Sequence, residues 1–303
     1  MEKNDDALWK ALLEEVFDDL LRFVFPNADA VYDMDRGFTY LDKELTELEP
    51  EPGKGPDTRF VDKLVKAYTR DGGEEWMLIH AEIQGYSGER AFFPERMYQY
   101  QYRIYDRFRK PITAIAIFTG TDGKLIPDRF SYRLQGTYLL YRYNTFCITD
   151  PTDEELKASD NPFALVVLAA REALRSKKIP EIELLNRKLM VARLLLGKTH
   201  ISHRKIGSIL FFLRNIIVPQ NSEYCCIFDQ QINSITGKSN TMGFFEVLAE
   251  IRAEEATEKQ KTLFVRNLLN AKTFSHEEIA SLADVSLEFI EEVREKMKSG
   301  QKV

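Results

Sequence analysis

Ile112–Thr119 (ITAIAIFT) is an uninterrupted apolar run held between Pro111 and Gly120. A run this short, rich in β-branched residues and closed by turn formers, reads as a buried central strand, the kind covered on both faces. That strand constrains the rest of the chain, because the segments around it must supply neighbouring strands and covering helices. Ala7–Phe25 supplies a helix: Leu8, Leu12, Val16, Leu20 and Val24 recur every fourth residue, and Pro26 closes the run. Phe38–Leu45 reads as a short strand entering a turn, and Glu49–Asp57 (EPEPGKGPD) as a Pro/Gly loop. Phe60–Thr69 and Trp76–Gln84 read as two strands joined by a turn containing Asp71-Gly72-Gly73. Pro94 opens a helix that runs to Arg109. Ser131–Ile148, Tyr-rich and alternating, supplies one or two further strands.

Beyond Pro151 the pattern becomes helical. Pro162–Ser176, Glu181–Leu196, Ile206–Ile217, Phe244–Leu269, Ser275–Ala283 and Ser286–Lys298 are the expected helices. The expected fold class is therefore α/β, a mixed sheet flanked by helices, followed by an all-α C-terminal region. The expected organisation is 1–150, a helical domain at 151–242, and C-terminal helices at 243–303.

Composition narrows the function classes. Cys225 and Cys226 are adjacent and Cys147 is distant, with neither disulfide nor zinc spacing, as expected of reduced thiols. The acidic Met1–Asp6 is followed by no signal-type apolar segment, and no apolar run reaches the ~18 residues of a membrane span. A cytoplasmic protein with no membrane partner is expected. The net charge of −6 argues against a general nucleic-acid coat, but the charge is uneven. Met1–Thr58 holds 6 Lys+Arg and 16 Asp+Glu, a net of −10; Gly85–Tyr143 holds 10 and 5, a net of +5.

Between those two segments lies the chemistry-bearing pattern. On the strand containing His80-Ala81-Glu82-Ile83-Gln84, Glu82 and Gln84 alternate to one face and Ile83 to the other. Asp62 sits on the preceding strand of the hairpin. Two carboxylates converging there make a site for a hard divalent cation, Mg²⁺ or Mn²⁺ in its place. Such an ion acidifies a bound water and neutralises charge on a scissile phosphate, and Gln84 can orient that water. The ordinary alternative is a charged strand face in solvent, opposed by the Met, Leu and Ile that surround Glu82 and Gln84.

The segments Val61-Asp62-Lys63-Leu64-Val65-Lys66 and His80–Gly85, together with FTYLDKEL from Phe38 and RMYQYQYRIYDR from Arg96, resemble the PD-(D/E)XK nuclease superfamily. The branch they are similar to is the Rpn-type recombination-promoting nucleases, also described as putative transposases, in which Gln takes the Lys place. The likeness covers roughly residues 7–150. It implies a restriction-endonuclease-like sheet and a metal-dependent DNA endonuclease. In that reading Asp62, Glu82 and the Ile83 carbonyl are metal ligands and Gln84 acts on the water. Glu15, among Glu14, Asp18 and Asp19, is the expected accessory acid from the upstream helix. Gln cannot stabilise developing negative charge as a Lys does. Arg96 and Arg103, two helical turns apart, can meet phosphate in its place; a solvated face with ordinary ion pairs is the alternative.

DNA is the expected partner, with a homo-oligomer, such as a dimer, compatible with cutting both strands. The other function class left open is a non-catalytic or weakly active module that binds DNA or protein on the nuclease fold. His80, on the same face as Glu82, is set outside the core site. Glu277–Val293 has a helix-turn-helix cadence, with Ile279, Ala280 and Ala283 packing against Ile290 and Val293. Its second helix is acidic (Glu288, Glu291, Glu292, Glu295), which suits a packing hairpin better than a recognition helix.

Overall fold

The computed structural model describes residues 4–41, 60–82, 92–119, 126–235, 260–270 and 274–298. One compact unit comprises Met1–Met34 and Phe38–Gln231; a second comprises Asp35–Gly37 and Ile232–Val303.

In the first unit, β1 (Phe38–Tyr40), β2 (Phe60–Tyr68), β3 (Glu74–Glu82), β4 (Ile112–Phe118) and the last described strand in chain order, Asn144–Cys147, form one mixed sheet. Between β4 and that edge strand, β5 (Arg129–Leu134) and β6 (Thr137–Arg142) form a separate two-stranded ribbon, so the edge strand is β7. The sheet order is β1-β2-β3-β4-β7, antiparallel through β3 and parallel from β3 to β7. β4 has a parallel neighbour on each side, and Ala114–Phe118 are buried, as its unbroken apolar sequence requires.

The strand register sorts residues to two faces. Leu64, Leu78, His80, Ala114, Ala116, Phe118 and Cys147 share one parity of the ladder. This face is covered by α4 (Phe93–Phe108), through Phe93, Met97, Tyr100 and Ile104. The opposite parity carries Lys63, Val65, Met77, Ile79, Ile115, Ile117 and Phe146. There α1 (Asn4–Glu15) and α2 (Phe17–Val24) supply cover, with Phe23 5.3 Å from Phe146 and Phe17 4.7 Å from Phe38. The arrangement is a mixed α/β sheet with helices on both faces.

The expected single helix over Ala7–Phe25 is two helices. Val16 departs from helical geometry at φ −121° and ψ 25°, although the Val16 and Leu20 amides still donate to carbonyls four residues back. No Pro or Gly stands there. The cause is tertiary: α1 lies on β2 and on α8 (His203–Ile216), whereas α2 lies on α6 (Pro162–Arg175). The kink lets α1 follow β2 and α2 follow α6, while both keep ion pairs with α8. The one helix between α2 and α4 among the described residues is the short α3 (Ala28–Val31).

Ser131–Ile148, expected as one or two strands, belongs to three, because Gln135-Gly136 turns β5 back onto β6 and β7 then leaves for the main sheet. The helical part of the unit comprises α5 (Asp153–Ala158), α6, α7 (Glu181–Leu196), α8 and α9 (Ser222–Ile235) as far as Gln231. A capping box between Thr152 and Glu155 opens α5. α9 is a helix that periodicity passes over, since few large apolar residues mark its buried side.

In the second unit a helical stretch at 260–270 joins α10 (His276–Ala283) and α11 (Leu287–Lys298). Val265, Ile279, Ala283, Ile290 and Val293 form its core, matching the packing positions read from the sequence. Asp284, at φ 51°, turns the chain between α10 and α11. No helix among the described residues is long and apolar enough to cross a membrane.

Candidate functional site

β2 and β3 bring Asp62 and Glu82 to neighbouring strands. In the antiparallel register Asp62 is opposite His80, and Glu82 is opposite Phe60. Positions 62, 80 and 82 thus share one parity, and 62 and 82 are diagonal neighbours, a relationship that sets backbones about 7–8 Å apart. Glu82 ends β3, in line with Phe118 near the carboxyl end of β4 and Cys147 at that of β7. The carboxyl ends of parallel strands are where open α/β sheets place their ligands. Ile83 and Gln84 lie outside the described residues, as do the side chains of Asp62 and Glu82. So do Asp42 and Glu44, a second acidic pair in the sequence.

His80, between the two acidic positions, is fully buried. Its ring lies 5.0 Å from Phe93 and 6.4 Å from Tyr100, both on α4. Tyr100 also lines a cleft of about 250 Å³ with Phe92, Glu95, Arg96, Gln99 and Arg103. The two arginines singled out from helical spacing therefore share one cleft, on the sheet face to which positions 62, 80 and 82 belong. Arg96 also reaches over the Phe93 ring, 5.7 Å from its centroid. α4 begins at this end with Pro94 in its first turn, so its unsatisfied amides and the positive end of its dipole add to the charge of the arginines.

The acidic residues of α1 and α2 are used differently. Glu15 receives Nε and Nη2 of Arg204 on α8, each at 2.5 Å. Glu14 pairs with Lys63, which is buried on β2 and lies 5.0 Å from the Tyr40 ring centroid. Lys63 belongs to the parity opposite Asp62, so this pair sits on the other face of the sheet. Asp18 and Asp19 both accept from Lys205 on α8, at 2.7 and 2.6 Å. Burial, with the charge of Asp18, raises the Asp19 pKa above the ordinary carboxylate value. The acidic character of the N-terminal helices serves chiefly to dock them on basic residues of α8, a use no local spacing reveals. His200, in the loop before α8, bonds the Asp160 carbonyl through Nε2 at 3.0 Å.

Among the described residues no cluster of three His, Cys, Asp or Glu side chains could hold a metal ion. Asp62 and Glu82 are hard oxygen donors at diagonal ladder positions, a donor type that suits Mg²⁺.

The fold is thus that of a mixed α/β protein, with an arginine-lined cleft on the face that carries the acidic ladder positions. The chain matches no protein-family model, no curated protein and no solved structure.

Proposed function

We propose that this chain is a metal-dependent DNA endonuclease of the PD-(D/E)XK type, similar to the recombination-promoting branch. The observation that carries the reading is the β2–β3 register, which makes Asp62 and Glu82 diagonal neighbours of equal parity at the carboxyl end of β3. The α4 cleft with Arg96 and Arg103 on the same face supports it.

In this reading the Asp62 and Glu82 carboxylates and the Ile83 carbonyl hold the cation. When bound, Mg²⁺ supplies acidification of a water and neutralisation of charge on the scissile phosphate. The chain's own residues do the positioning. Gln84 accepts from and orients the attacking water. Arg96 and Arg103 hold the phosphate from the α4 side and supply the positive charge that a neutral Gln84 lacks. His80 packs beneath the site between Phe93 and Tyr100 and fixes the strand against α4.

Plasmid cleavage with and without Mg²⁺ tests the assignment, comparing wild type with Asp62→Ala and Glu82→Ala. Cutting that needs metal and is lost in both folded variants is the expected result. Equal behaviour of all three proteins would remove the acidic pair from the chemistry and leave a binding module.

A further inference from the structure

The β5–β6 ribbon stands apart from the main sheet. An isolated two-stranded hairpin is at best marginally stable in water, so something must anchor it. The anchor is at its base. Phe130 stacks on Tyr98 of α4 at 5.3 Å with rings 20° apart, and Tyr141, directly opposite Phe130, lies 6.0 Å from the same ring. The tip is Gln135-Gly136, both at positive φ (46° and 83°), the backbone of the hairpin turn that matches strand twist. Only Gly takes the second conformation without strain.

The face turned away from α4 carries Arg129, Ser131 and Arg133 on β5, and Tyr138, Leu140 and Arg142 on β6. All six are exposed. Arg133 is directly opposite Tyr138, which is 63% exposed. Toward the tip the other face is open too, with Tyr132 45% and Leu134 68% exposed. The ribbon therefore projects past its anchor.

The charge here is only partly compensated within the fold. Asp128 lies 3.4 Å from Arg142 and 3.8 Å from Arg129. Arg133 has no acidic partner among the described residues. Three guanidinium groups thus face one carboxylate, in a chain whose net charge is −6. A two-stranded ribbon fits the DNA major groove, where arginine meets phosphates and guanine edges and apolar groups meet thymine methyls.

We propose that β5–β6 is a DNA-gripping ribbon that enters the major groove of a duplex. Arg133 and Tyr138 lead at the tip, and Arg129 and Arg142 meet the flanking phosphates. Its purpose, holding a substrate for cleavage, rests on the nuclease reading; its binding does not.

The test uses the full chain in EDTA, so that no metal-dependent cutting intervenes, with a fluorescently labelled DNA duplex titrated over a range of salt. The combined Arg129→Ala, Arg133→Ala, Arg142→Ala variant is expected to bind more weakly. Its log–log salt slope is expected to fall by about 0.9 for each arginine that meets a phosphate. Tyr138→Ala is expected to weaken binding with the slope unchanged. Lys157→Ala, on α5, is the control and is expected to bind as wild type. The ribbon positions are exposed and Lys157 is half-buried; unchanged circular dichroism and melting are expected and are checked for every variant. Wild-type binding by the triple variant, no duplex binding by the wild type, or an equal loss in the control would each overturn the ribbon.

The two proposals fail separately. If metal-dependent cutting is intact and abolished by Asp62→Ala, yet the triple variant binds and cuts as wild type, the ribbon falls and the nuclease stands. If no protein cuts, but the triple variant loses duplex binding while the Lys157→Ala control keeps it, the nuclease falls and the ribbon stands.

Discussion

Lys188 Nζ lies 4.4 Å from the centroid of the Phe228 ring while donating to the carbonyls of Arg214 and Ile217, each at 2.9 Å. This buried ammonium ties α7 to the last turn of α8 and to α9. It satisfies carbonyls that a helix C-terminus leaves open, and its charge suits the negative end of the α8 dipole. Burial nevertheless dominates, and lowers its pKa from 10.5 to about 8.

The sign of the resulting pH dependence is fixed. Between about pH 8 and 10.5 the unfolded chain holds a proton at Lys188 that the folded chain has released. Stability contributed by this site therefore rises with pH across that window and is flat below it. Each unit of displacement is worth about 1.4 kcal/mol, so the gain is on the order of 3 kcal/mol. Tyr32 and Tyr141, whose pKa values burial raises above 10.0, act in the opposite sense from about pH 10 upward. Chemical denaturation of wild type and Lys188→Met across pH 7 to 10.5 isolates the lysine. The difference between the two should move in favour of the wild type above pH 8; a difference independent of pH would show that Lys188 stays charged throughout.

Glu172, on α6, is 1% exposed and meets two guanidinium groups, Arg175 at 2.8 Å and Arg187 at 3.3 Å. Each arginine has a second acidic partner, Asp153 for Arg175 and Glu183 for Arg187. Either arginine alone still compensates the buried carboxylate. Replacing both leaves it with neither, the situation in which burial is most costly. Arg175→Ala with Arg187→Ala should therefore destabilise beyond the sum of the single variants by about 1–3 kcal/mol. Urea midpoints of the four proteins measure it, and additive losses would show that Glu172 finds other compensation.

The Glu15–Arg204 pair joins α1 to α8 in a two-point geometry. Both side chains retain solvent contact, 21% and 41%, so the expected cost of Glu15→Gln is only about 1 kcal/mol. The same variant asks whether Glu15 has a part in cutting. As a docking residue it should leave metal-dependent plasmid cleavage at the wild-type rate while lowering the melting temperature. Lost cleavage at unchanged stability would return Glu15 to the site as an accessory acid.

Much of the fold is legible along the chain because its signals are local. The apolar run at Ile112 gave a buried strand, Asp71-Gly72-Gly73 gave the hairpin that aligns Asp62 with His80, and Pro94 with Pro111 framed α4. Spacing also put Arg96 and Arg103 on one helical face, and they share one cleft. The positions of Ile279, Ala283, Ile290 and Val293 were readable for the same reason: a tight helix pair sets its own period.

What required the tertiary structure is whatever depends on a distant partner. Val16 carries no breaker; α1 and α2 part there because α1 packs on β2 and α2 on α6, while both keep ion pairs with α8. The carboxylates of Glu14, Glu15, Asp18 and Asp19 look interchangeable on a helical face. Their separate assignments to Lys63, Arg204 and Lys205 follow from which strand or helix each turn happens to meet. β5 and β6 alternate as the main-sheet strands do. Only the stacking of Phe130 on Tyr98 decides that one face is anchored and the arginine face is left to solvent. Period and turn chemistry are properties of neighbouring residues, so the sequence alone determined most of the elements. Ion-pair partners, kinks and the choice of exposed face are set by contacts between residues far apart in the chain, so only the folded structure decided them.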